Sequence, residues 1–419
     1  MAQVHVVGAG MAGLAAALRL SAGGHAVALY EGAGQAGGRC RSFHDETLGC
    51  VIDNGNHLML AGNTAIAALL AETGAADSLP AAAEAVIPFV DLDTGERWAI
   101  RPNDGRLPWW IFAPDRRTLG SSAWDHLAAL RLAWAGADAT VADLFAGNPA
   151  LYRRFWRPLT IAILNTPPEE AAARLLWPVL VEIFGRGGAA CRPRFAREGL
   201  SQSLVDPAVA TLHGRGADIR FNRRLRQVAS EGGAVRALEF GDETVAIGDG
   251  EAVVLALSAP SAAALLPSIP APDRFHPIVN IHFRLPAEAA GTPLPPILGI
   301  VGGTAEWAFA RGPVVSVTIS AADALVDDPA EAIAEAAWGD LRRALALPAA
   351  LPPYRVIKEK RATFAQTPAA ERRRPPASTN FRNLFLAGDW TDTGLPATIE
   401  GAVRSGFRAA SAAAAFLYR

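Results

Sequence analysis

A glycine-rich turn near the start of the chain has the residue types and spacing of a nucleotide-binding turn, with the sequence Gly8-Ala9-Gly10-Met11-Ala12-Gly13. The first glycine permits a tight turn, the second lets the backbone approach a pyrophosphate, and the third lets helix and strand pack closely. The start of the helix supplies free amide donors and the positive end of a dipole for phosphates. The turn therefore predicts a dinucleotide site; the alternative is an ordinary connection between strand and helix.

Glu31 and Arg39 follow this turn closely in the sequence and favour one dinucleotide over another. Glu31 ends the next predicted strand, where it is placed to accept hydrogen bonds from an adenosine ribose; the alternative is an ordinary solvated strand end. Gly37-Gly38-Arg39 would return flexible backbone and an arginine to the same phosphates. A dehydrogenase that uses NAD needs no such second clamp, so the segment favours FAD, unless Arg39 is simply a surface arginine.

A dense polar segment, Asp53-Asn54-Gly55-Asn56-His57, lies between apolar neighbours. Gly55 indicates backbone that passes close to a ligand, and a histidine titrates in the range useful for proton transfer. Local hydrogen bonds from Asp53 and Asn56 to the backbone would explain the same residues. The segment is therefore predicted to be either a buried structural turn or part of an active site.

A second motif of glycine and acid ends the last apolar run of the chain, with the sequence Gly388-Asp389-Trp390-Thr391. Gly388 allows close approach, and Asp389 is placed to accept from a ribityl or ribose hydroxyl. Residues 395–401 open the helix that follows. If a flavin pyrimidine edge lies beyond the strand, the dipole of this helix stabilises the negative charge that develops on reduction. A C-terminal docking helix with a proline in its first turn explains the same residues.

The elements that position these motifs indicate an α/β fold, α+β overall. An apolar strand at residues 4–7, an alanine-rich helix at 12–22 and a strand at 26–30 form one βαβ unit. A buried strand at 383–387 and a helix at 397–418 repeat the pattern at the end. We predict a Rossmann-like FAD-binding domain of discontinuous segments with an inserted substrate-binding domain. The FAD-binding segments are 1–75, 193–262 and 376–419, and the substrate-binding segments are 76–192 and 263–375.

The central part of the chain has a different character. Tryptophans accumulate between residues 98 and 177, and we predict successive long helices from about residue 75 to residue 192. Prolines between residues 260 and 296 mark a crossing between units. Further strands are predicted around residue 219 and at 225–228, 235–240, 253–257, 279–285 and 314–319, and a further helix at 329–345.

Composition and charge exclude several classes of protein. The 419 residues are 51% hydrophobic with a formal net charge of −2, which describes a globular chain of two or three packed units. The arginines are spread along the chain and balanced by acids, so we expect no nucleic-acid partner. Three cysteines without a CxxC pair fit neither a disulfide framework nor a zinc site, so we expect no metal and a reducing cytoplasm. We expect no signal peptide and no membrane-spanning run.

Taken together, the motifs resemble those of the flavin-containing amine oxidase and carotenoid desaturase superfamily, and within it the bacterial squalene-associated FAD-dependent desaturases, or hydroxysqualene dehydroxylases. The resemblance runs from end to end and is carried by the turn at 8–13, by Glu31 and by residues 37–42, 52–57, 164–167, 359–364, 388–391 and 394–406. It implies that adenosine and pyrophosphate are held by Gly8, Gly10, Met11, Ala12, Gly13, Glu31, Gly38 and Arg39. It implies further FAD contacts from Gly55, Asn56, His57, Val228, Gly388, Asp389, Thr398 and Ile399, with the backbone of Val228 offered to the adenine.

The activity that the resemblance implies is the reduction of hydroxysqualene to squalene, in the pathway that feeds hopanoid synthesis. As a hypothesis, an acid protonates the allylic hydroxyl, water leaves, and reduced FAD delivers hydride to the cation. His57 is the predicted proton donor, with Asp53 as the group that orients it. Three alternatives stay open: a polyene desaturase with opposite electron flow, an amine oxidase, and a lipid escort protein without flavin chemistry. The amine oxidase is disfavoured because the chain has lysines only at positions 358 and 360.

A hydrophobic C30 isoprenoid partitions into membranes, so we expect contact with the inner face of the cytoplasmic membrane. The candidate segment is Leu107-Pro108-Trp109-Trp110-Ile111-Phe112, followed by Arg116 and Arg117. Indoles favour the membrane interface and arginines favour anionic headgroups. The alternative is that these aromatic side chains form the core of the substrate domain. No second glycine motif for NAD(P)H is evident, so the electrons are expected to come from an external donor.

Overall fold

Apolar β-branched runs and alanine-rich runs alternate at both ends of the chain, and the computed structural model assigns each of them to a strand or a helix. It describes residues 2–286 and 293–418. The predicted domain segments also include Met1, residues 287–292 and Arg419, which lie outside the described residues.

The strands are numbered in chain order: β1 (Gln3–Val7), β2 (Ala26–Tyr30), β3 (Ser42–Asp45), β4 (Cys50–Asp53), β5 (Met59–Leu60), β6 (Ile87–Asp91), β7 (Arg97–Ile100), β8 (Pro193–Arg194), β9 (Asp218–Arg220), β10 (Gln227–Glu231), β11 (Ala234–Glu239), β12 (Thr244–Ala246), β13 (Ala252–Leu255), β14 (Phe275–Arg284), β15 (Ile297–Val301), β16 (Trp307–Arg311), β17 (Val314–Ile319), β18 (Tyr354–Phe364) and β19 (Leu384–Leu386).

The α-helices are α1 (Met11–Ala22), α2 (Thr64–Glu72), α3 (Ala123–Leu127), α4 (Val141–Phe145), α5 (Pro149–Leu151), α6 (Arg157–Leu164), α7 (Leu176–Ile183), α8 (Gly188–Cys191), α9 (Asp206–Gly214), α10 (Ala259–Leu265), α11 (Ala330–Leu345), α12 (Pro368–Glu371) and α13 (Ile399–Leu417). Short π-helical turns at Tyr152–Trp156 and Ser201–Val205 lead into α6 and α9, and short 3₁₀ turns connect other elements.

A five-stranded parallel sheet joins distant parts of the chain in the order β19-β13-β1-β2-β9. Val4 and Val6 of β1 are fully buried, as expected of a strand covered on both faces. Helix α1 packs against α13 on one side of the sheet. The crossing is close at Gly406, where a Cβ atom would lie 2.2 Å from the Ala12 carbonyl oxygen. The predicted α/β fold with a parallel sheet of discontinuous segments is confirmed, whereas the domain bounds stay a prediction.

A seven-stranded mixed sheet has the order β18-β14-β17-β16-β15-β6-β7. One face is apolar and packs on α11; Val279, Ile281 and Val317 belong to the same buried cluster as Ile333 and Trp338. Side chains alternate across a strand, so the opposite face carries the intervening residues. Near β14 and β17 these are polar and buried: Asn280, His282, Ser316 and Thr318.

The prediction of successive long helices between residues 75 and 192 holds for part of the region only. Helical residues run without a break from Pro149 to Leu164 and from Ala173 to Arg186, with π-helical or 3₁₀ turns included, whereas the hairpin of β6 and β7 extends the seven-stranded sheet. Capping boxes at Ser122 and Thr140 begin new helices after short connections. The aromatic side chains of this region lie on several different elements. A search for one long periodic pattern in the sequence does not separate these elements.

Among the residues that the structure describes, no helix combines the length and the apolar composition that crossing a bilayer requires.

Candidate active site

The first glycine turn has the conformation that its sequence predicts. Gly8 has a φ of +104°, which favours glycine. A Cβ atom at Gly13 would lie 1.8 Å from the Gly8 carbonyl oxygen, so only glycine lets α1 start this close to β1. At Gly10, by contrast, a Cβ atom would meet nothing within 4 Å. The turn therefore packs tightly at Gly8 and Gly13, whereas the space beside Gly10 is open.

The second glycine segment lies directly against the first. The Gly37 amide donates to the Ala9 carbonyl oxygen at 2.8 Å. Glu31 supports the same turn from the end of β2, where its carboxylate accepts from the amides of Ala9 and Ala33, both at 2.8 Å. A Cβ atom at Gly38 would lie 3.4 Å from the Cα atom of residue 10. The two glycine turns thus form one surface, and the contact of Glu31 with a ribose stays a prediction.

Arg39 and Asp389 meet across a sequence separation of 350 residues. The Arg39 Nη2 atom lies 2.7 Å from the Asp389 Oδ2 atom, and Arg39 also donates to the carbonyl oxygen of Ala362. The charge of Asp389 raises the pKa of the Arg39 guanidinium above its usual range. The N-terminal and C-terminal motifs therefore belong to one site.

The last strand and helix of the chain, β19 and α13, lie next to Asp389. Gly388 has a φ of +153°, and its amide donates to the Ser405 hydroxyl at 2.9 Å. Thr398 caps α13 by accepting from the Gly401 amide at 3.1 Å, and Ile399 is the first helical residue. A 19-residue helix thus directs its positive end at the edge where Asp389 lies.

Asp53 forms no hydrogen bond with His57 among the described residues, and its role in orienting His57 stays a prediction. Its Oδ1 atom accepts from the Ser42 hydroxyl at 2.6 Å and from the Leu200 amide at 2.9 Å. Its Oδ2 atom pairs with Arg311 Nη1 at 2.8 Å. Both carboxylate oxygens are therefore used to join β4 to the segment before α9 and to β16, which makes Asp53 a structural residue.

Asn56 connects this segment to the polar face of the seven-stranded sheet. Its Nδ2 atom donates to Asn280 Oδ1 at 3.3 Å and to Thr318 Oγ1 at 3.1 Å. Gly55 lies under the same sheet, where a Cβ atom would be 3.4 Å from the Asn280 side chain. Residues 53–57 thus include a carboxylate engaged in local structure, at Asp53, and two residues that lie against the polar face of the seven-stranded sheet, Gly55 and Asn56.

The side chain of His57 is exposed to water although protein surrounds it, so His57 lies in a cleft. The surrounding protein lowers the pKa of the imidazole to about 4, because the attraction of Asp53 does not offset the loss of solvation and Arg39 adds repulsion. The imidazole is therefore uncharged at neutral pH. His57 as proton donor stays a prediction, and this charge state weakens it.

Val228 lies on β10, an edge strand of the antiparallel sheet β10-β11-β12. An edge strand has backbone groups that are not paired within its sheet. The position is compatible with the predicted backbone contact to adenine, which stays a prediction.

The sequence matches the family model described as flavin containing amine oxidoreductase over residues 11–414. The chain belongs to this family. Its curated relatives include proteins named hydroxysqualene dehydroxylase from Sinorhizobium fredii, 46% identical over 98% of both chains, and from Rhodopseudomonas palustris, 46% identical over 97% of both. A third protein of this name, from Zymomonas mobilis, is 43% identical over 99% of both chains. The family resemblance that the motifs indicated is confirmed.

Solved structures share the fold at much lower identity. A putrescine oxidase variant superposes with a TM-score of 0.71 at 18% identity, covering 99% of each chain. Cyclohexylamine oxidase from Brevibacterium oxydans gives a TM-score of 0.68 at 19% identity, covering all of both chains. These likenesses support the architecture and carry no conclusion about substrate.

A flavin is the cofactor of this family, and the two glycine turns fit its phosphates. The space beside Gly10 is open, since a Cβ atom there would meet no protein atom within 4 Å. Arg39 supplies positive charge beside this surface, and the start of α13 supplies a positive dipole end at its far edge. The contacts of both motifs with the cofactor stay predictions.

The motif around Asn165 was noticed in the sequence as a resemblance without an assigned role. Its side chain accepts from the Ala321 amide at 2.6 Å and donates to the His276 carbonyl oxygen at 3.1 Å and to Thr363 Oγ1 at 3.0 Å. The neighbouring Gln366 accepts from the Ala397 amide at 2.8 Å. We call this group the Asn165 junction; it ties α6, β14, β18 and the start of α13 together.

Asn280, Thr318 and Glu306 were missed by sequence reasoning. Asn280 and Thr318 lie within strand sequences that are mainly apolar, and Glu306 lies just before β16, so no short motif marks any of them. Only the pairing of β14 with β17 shows that Asn280 and Thr318 share one face.

Proposed function

We propose that this protein is an FAD-dependent oxidoreductase that reduces hydroxysqualene to squalene. The observation that carries the proposal is the similarity, 43–46% identity over 97–99% of both chains, to three relatives named hydroxysqualene dehydroxylase. An identity at this level over the whole length includes both the cofactor side and the substrate side of the cleft.

The dinucleotide FAD, rather than a smaller flavin, suits the extent of the binding surface. The adenosine would lie by Glu31 and the backbone of Val228, and the pyrophosphate by the glycine turns and Arg39. The ribityl and ring system would lie by Gly388, Asp389, Thr398 and Ile399, with residues 55–57 on the cleft side. When bound in its reduced form, the cofactor supplies a hydride to an electron-poor carbon.

The substrate side of the cleft suits a hydrocarbon. Half-buried apolar side chains border the core cluster between the sheet and the short helices; they include Leu58, Leu159, Ile163, Phe195 and Phe309. Such side chains remove water from a reacting centre and bind an isoprenoid by burying its apolar surface. Lys358 and Lys360 hydrogen-bond to the loop before α11 on the outer side of β18. An amine oxidase is therefore disfavoured on the structure as it was on the sequence.

Residues 107–112 were interpreted either as a membrane contact or as part of the core, and each interpretation fits some of these side chains. Trp110 and Ile111 are buried, whereas Leu107, Trp109 and Phe112 are exposed. Further exposed apolar side chains follow on the same stretch of short helices: Trp124 is 80% exposed and Trp134 is 78% exposed. We define the aromatic patch as residues 107, 109, 112, 124, 130 and 134.

The aromatic patch is the proposed contact with the inner face of the cytoplasmic membrane. An exposed group of apolar side chains on one stretch of chain suits an interaction surface, and Arg116 lies over the Trp109 ring at 4.9 Å. Indole rings beside arginines suit the boundary between anionic headgroups and acyl chains. An isoprenoid substrate would reach the cleft from that side. The squalene formed would feed hopanoid synthesis, and an external donor would reduce the flavin.

The direct test is conversion of hydroxysqualene by the purified protein. We expect FAD to copurify, and after anaerobic photoreduction we expect added hydroxysqualene to give squalene while the flavin is reoxidised. Flavin that stays reduced and substrate that stays intact would contradict the proposal. Oxidation of a polyene by the oxidised protein would instead identify a desaturase, and colourless protein that does not bind added FAD would indicate a lipid escort.

A further inference from the structure

Asn280, in the middle of β14, is held by hydrogen bonds to its side-chain oxygen. It lies directly opposite Thr318 of β17, on the face of the sheet that points away from α11. Its Oδ1 atom accepts from the Thr318 hydroxyl at 2.9 Å and from the backbone amide and the side chain of Asn56, both at 3.3 Å. Because a backbone amide can only donate, the atom that faces it must be the oxygen, and this fixes the orientation of the Asn280 amide group.

The side-chain nitrogen of Asn280 is available to another partner. The residue is only 2% exposed. Among the residues that the structure describes, however, its Nδ2 atom donates to no protein group, since all three of its side-chain hydrogen bonds end on the oxygen. A buried amide that leaves its donors unused is costly, unless water or a ligand accepts from them.

The Nδ2 atom of Asn280 borders a small space above Gly55. A Cβ atom at Gly55 would lie 3.4 Å from this nitrogen and 3.6 Å from the Nε2 atom of His57. Apart from the chain neighbours of Gly55, no other described atom comes within 4 Å of that point. The His57 side chain is exposed to water. We call this space, lined by Gly55, His57 and Asn280, the Gly55 niche.

The Gly55 niche adjoins the surface that is proposed to hold the flavin. Arg39 is close enough to His57 for its positive charge to lower the pKa of the imidazole. The same guanidinium pairs with Asp389, where the N-terminal and C-terminal motifs meet. A group bound in the niche would therefore lie near the cofactor.

The other neighbours of the niche are apolar. Trp307 pairs with Thr318, and Thr318 pairs with Asn280, so the three side chains share one face of the sheet. Trp307 belongs to the apolar cluster between the sheet and the short helices, and Leu58, which follows His57, packs against that cluster. The niche is thus a polar point beside an apolar surface, as a hydrocarbon with a single polar group requires.

We propose that the Gly55 niche binds the hydroxyl group of the substrate, with Asn280 Nδ2 donating a hydrogen bond to its oxygen, which rests on the proposed reduction of hydroxysqualene. An alcohol both accepts and donates, so it satisfies the amide and the imidazole together. Negative charge gathers on this oxygen as the allylic C–O bond breaks, and a fixed amide donor stabilises it. An amide has no acidic proton, so Asn280 holds the oxygen and does not protonate it.

The test compares the binding of hydroxysqualene and squalene to the oxidised holoprotein, which cannot reduce either of them. The two ligands differ only in the hydroxyl group. We expect the wild type to bind hydroxysqualene about 10-fold more tightly than squalene, as measured by the change in flavin absorbance on titration.

Asn280→Asp keeps the oxygen that Asn56 and Thr318 bond but replaces the amide donor with an acceptor. At alkaline pH, where the new carboxyl group is ionised, we expect this variant to lose the preference for hydroxysqualene while it binds squalene and FAD like the wild type. Asn63→Asp is the matched control, because the Asn63 oxygen also accepts from a backbone amide, that of Leu60 at 2.7 Å. It should keep the preference.

Gly55→Ala tests the niche without a change of charge. Its Cβ atom would make ordinary van der Waals contacts with Asn280 and His57, so the fold should tolerate it. The methyl group would occupy the place of the hydroxyl group. We expect the preference for hydroxysqualene to be lost and the photoreduced variant to make squalene at least about 10-fold more slowly. Gly339→Ala, whose Cβ atom would meet nothing within 4 Å, is the control.

The possible results separate the two proposals. A photoreduced wild type that makes no squalene overturns the proposed function, and the role of the niche falls with it. A wild type that makes squalene, with Asn280→Asp keeping the full preference for hydroxysqualene, overturns the role of Asn280 alone. If Asn280→Asp does not fold or does not bind FAD, Gly55→Ala decides: an unchanged preference contradicts the proposal, and a lost preference with normal FAD binding supports it.

Discussion

We call the surface of the two glycine turns, with Glu31, Arg39 and Asp389, the nucleotide side, and the polar face of the seven-stranded sheet the sheet side. On the nucleotide side these polar groups hydrogen-bond one another over short distances. On the sheet side some buried polar atoms have no hydrogen-bond partner. The Ala9 amide and the Glu31 carboxylate bond each other, and Arg39 bonds Asp389. On the sheet side, the Nε2 atoms of His276 and His282 have no hydrogen-bond partner among the described residues.

The difference fits the ligands that we propose for the two sides. A dinucleotide has fixed phosphates and hydroxyls, so its site is built from glycine backbone and a few charges at set positions. A flexible hydrocarbon has a single polar group, so the sheet side needs apolar surface and one or two well-placed polar atoms. Substitutions on the two sides should therefore impair different properties of the protein.

The largest effect is expected at Gly13. In Gly13→Ala, the new Cβ atom would lie 1.8 Å from the Gly8 carbonyl oxygen, which forces α1 away from β1. We expect a loss of about 3 kcal/mol in the free energy of unfolding and protein that purifies without flavin. Chemical denaturation and flavin absorbance measure the two effects.

Gly10→Ala is the matched control for Gly13→Ala, because its Cβ atom meets no protein atom within 4 Å. It should unfold like the wild type but bind FAD more weakly, since the methyl group occupies the side open to the pyrophosphate. Equal stability of the two variants would contradict the packing argument.

The next effect is expected at the Asn165 junction, on the other side of the cleft. Asn165→Ala removes three hydrogen bonds of a side chain that is 3% exposed, and it leaves alanine at a φ of +46°. We expect a loss of about 2 kcal/mol in stability and slower turnover. The dissociation constant of FAD should change much less than in Gly10→Ala. An FAD affinity that falls as far as in Gly10→Ala would show that the two sides are not separate.

A smaller effect is expected from the ion pair between the chain ends. Arg39→Ala should weaken FAD binding, because it removes the positive charge beside the glycine turns. We expect only about a 10-fold effect, because the Arg39 side chain is 43% exposed and solvent screens its charge. Asp389→Asn should do the same, and the double variant should lose less than the sum of the two. Strict additivity, measured by titration of the apoprotein with FAD, would mean that the pair does not act as a unit.

The smallest effect on stability is expected from the aromatic patch. Trp124→Ser with Trp134→Ser should change the free energy of unfolding by less than about 0.5 kcal/mol, because both rings are exposed. Cosedimentation with vesicles that contain an anionic lipid should fall about 10-fold or more. Tyr418→Ser, at another exposed aromatic ring, is the control. Unchanged cosedimentation of the double variant would contradict the membrane contact.

The nucleotide side could be predicted from the sequence because its chemistry is local. The spacing of Gly8, Gly10 and Gly13 predicts the conformation of the turn, and Glu31 follows at the end of the adjoining strand. Even the distant Asp389 was recognisable, because a glycine and an acid after an apolar strand form a compact motif. Parallel pairing then places that motif at the same sheet edge as the first.

The sheet side could not be predicted in the same way, because its residues come together through antiparallel register. Glu306 reaches Ser320, and Asn56 reaches Asn280 and Thr318, over sequence separations that no short motif records. The contacts of Asp53 illustrate the same point. The sequence showed that the two residues are neighbours, but Asp53 faces Arg311, which arrives from a strand far along the chain.

The ion pair of Arg39 and Asp389 also has a consequence for synthesis in the cell. A ribosome must add a further 350 residues after Arg39 before Asp389 exists. At ordinary elongation rates this takes roughly 20–70 s, during which the first glycine turn has emerged but lacks its partner. The contribution that we propose for this ion pair to cofactor binding is thus available only after Asp389 has been synthesised.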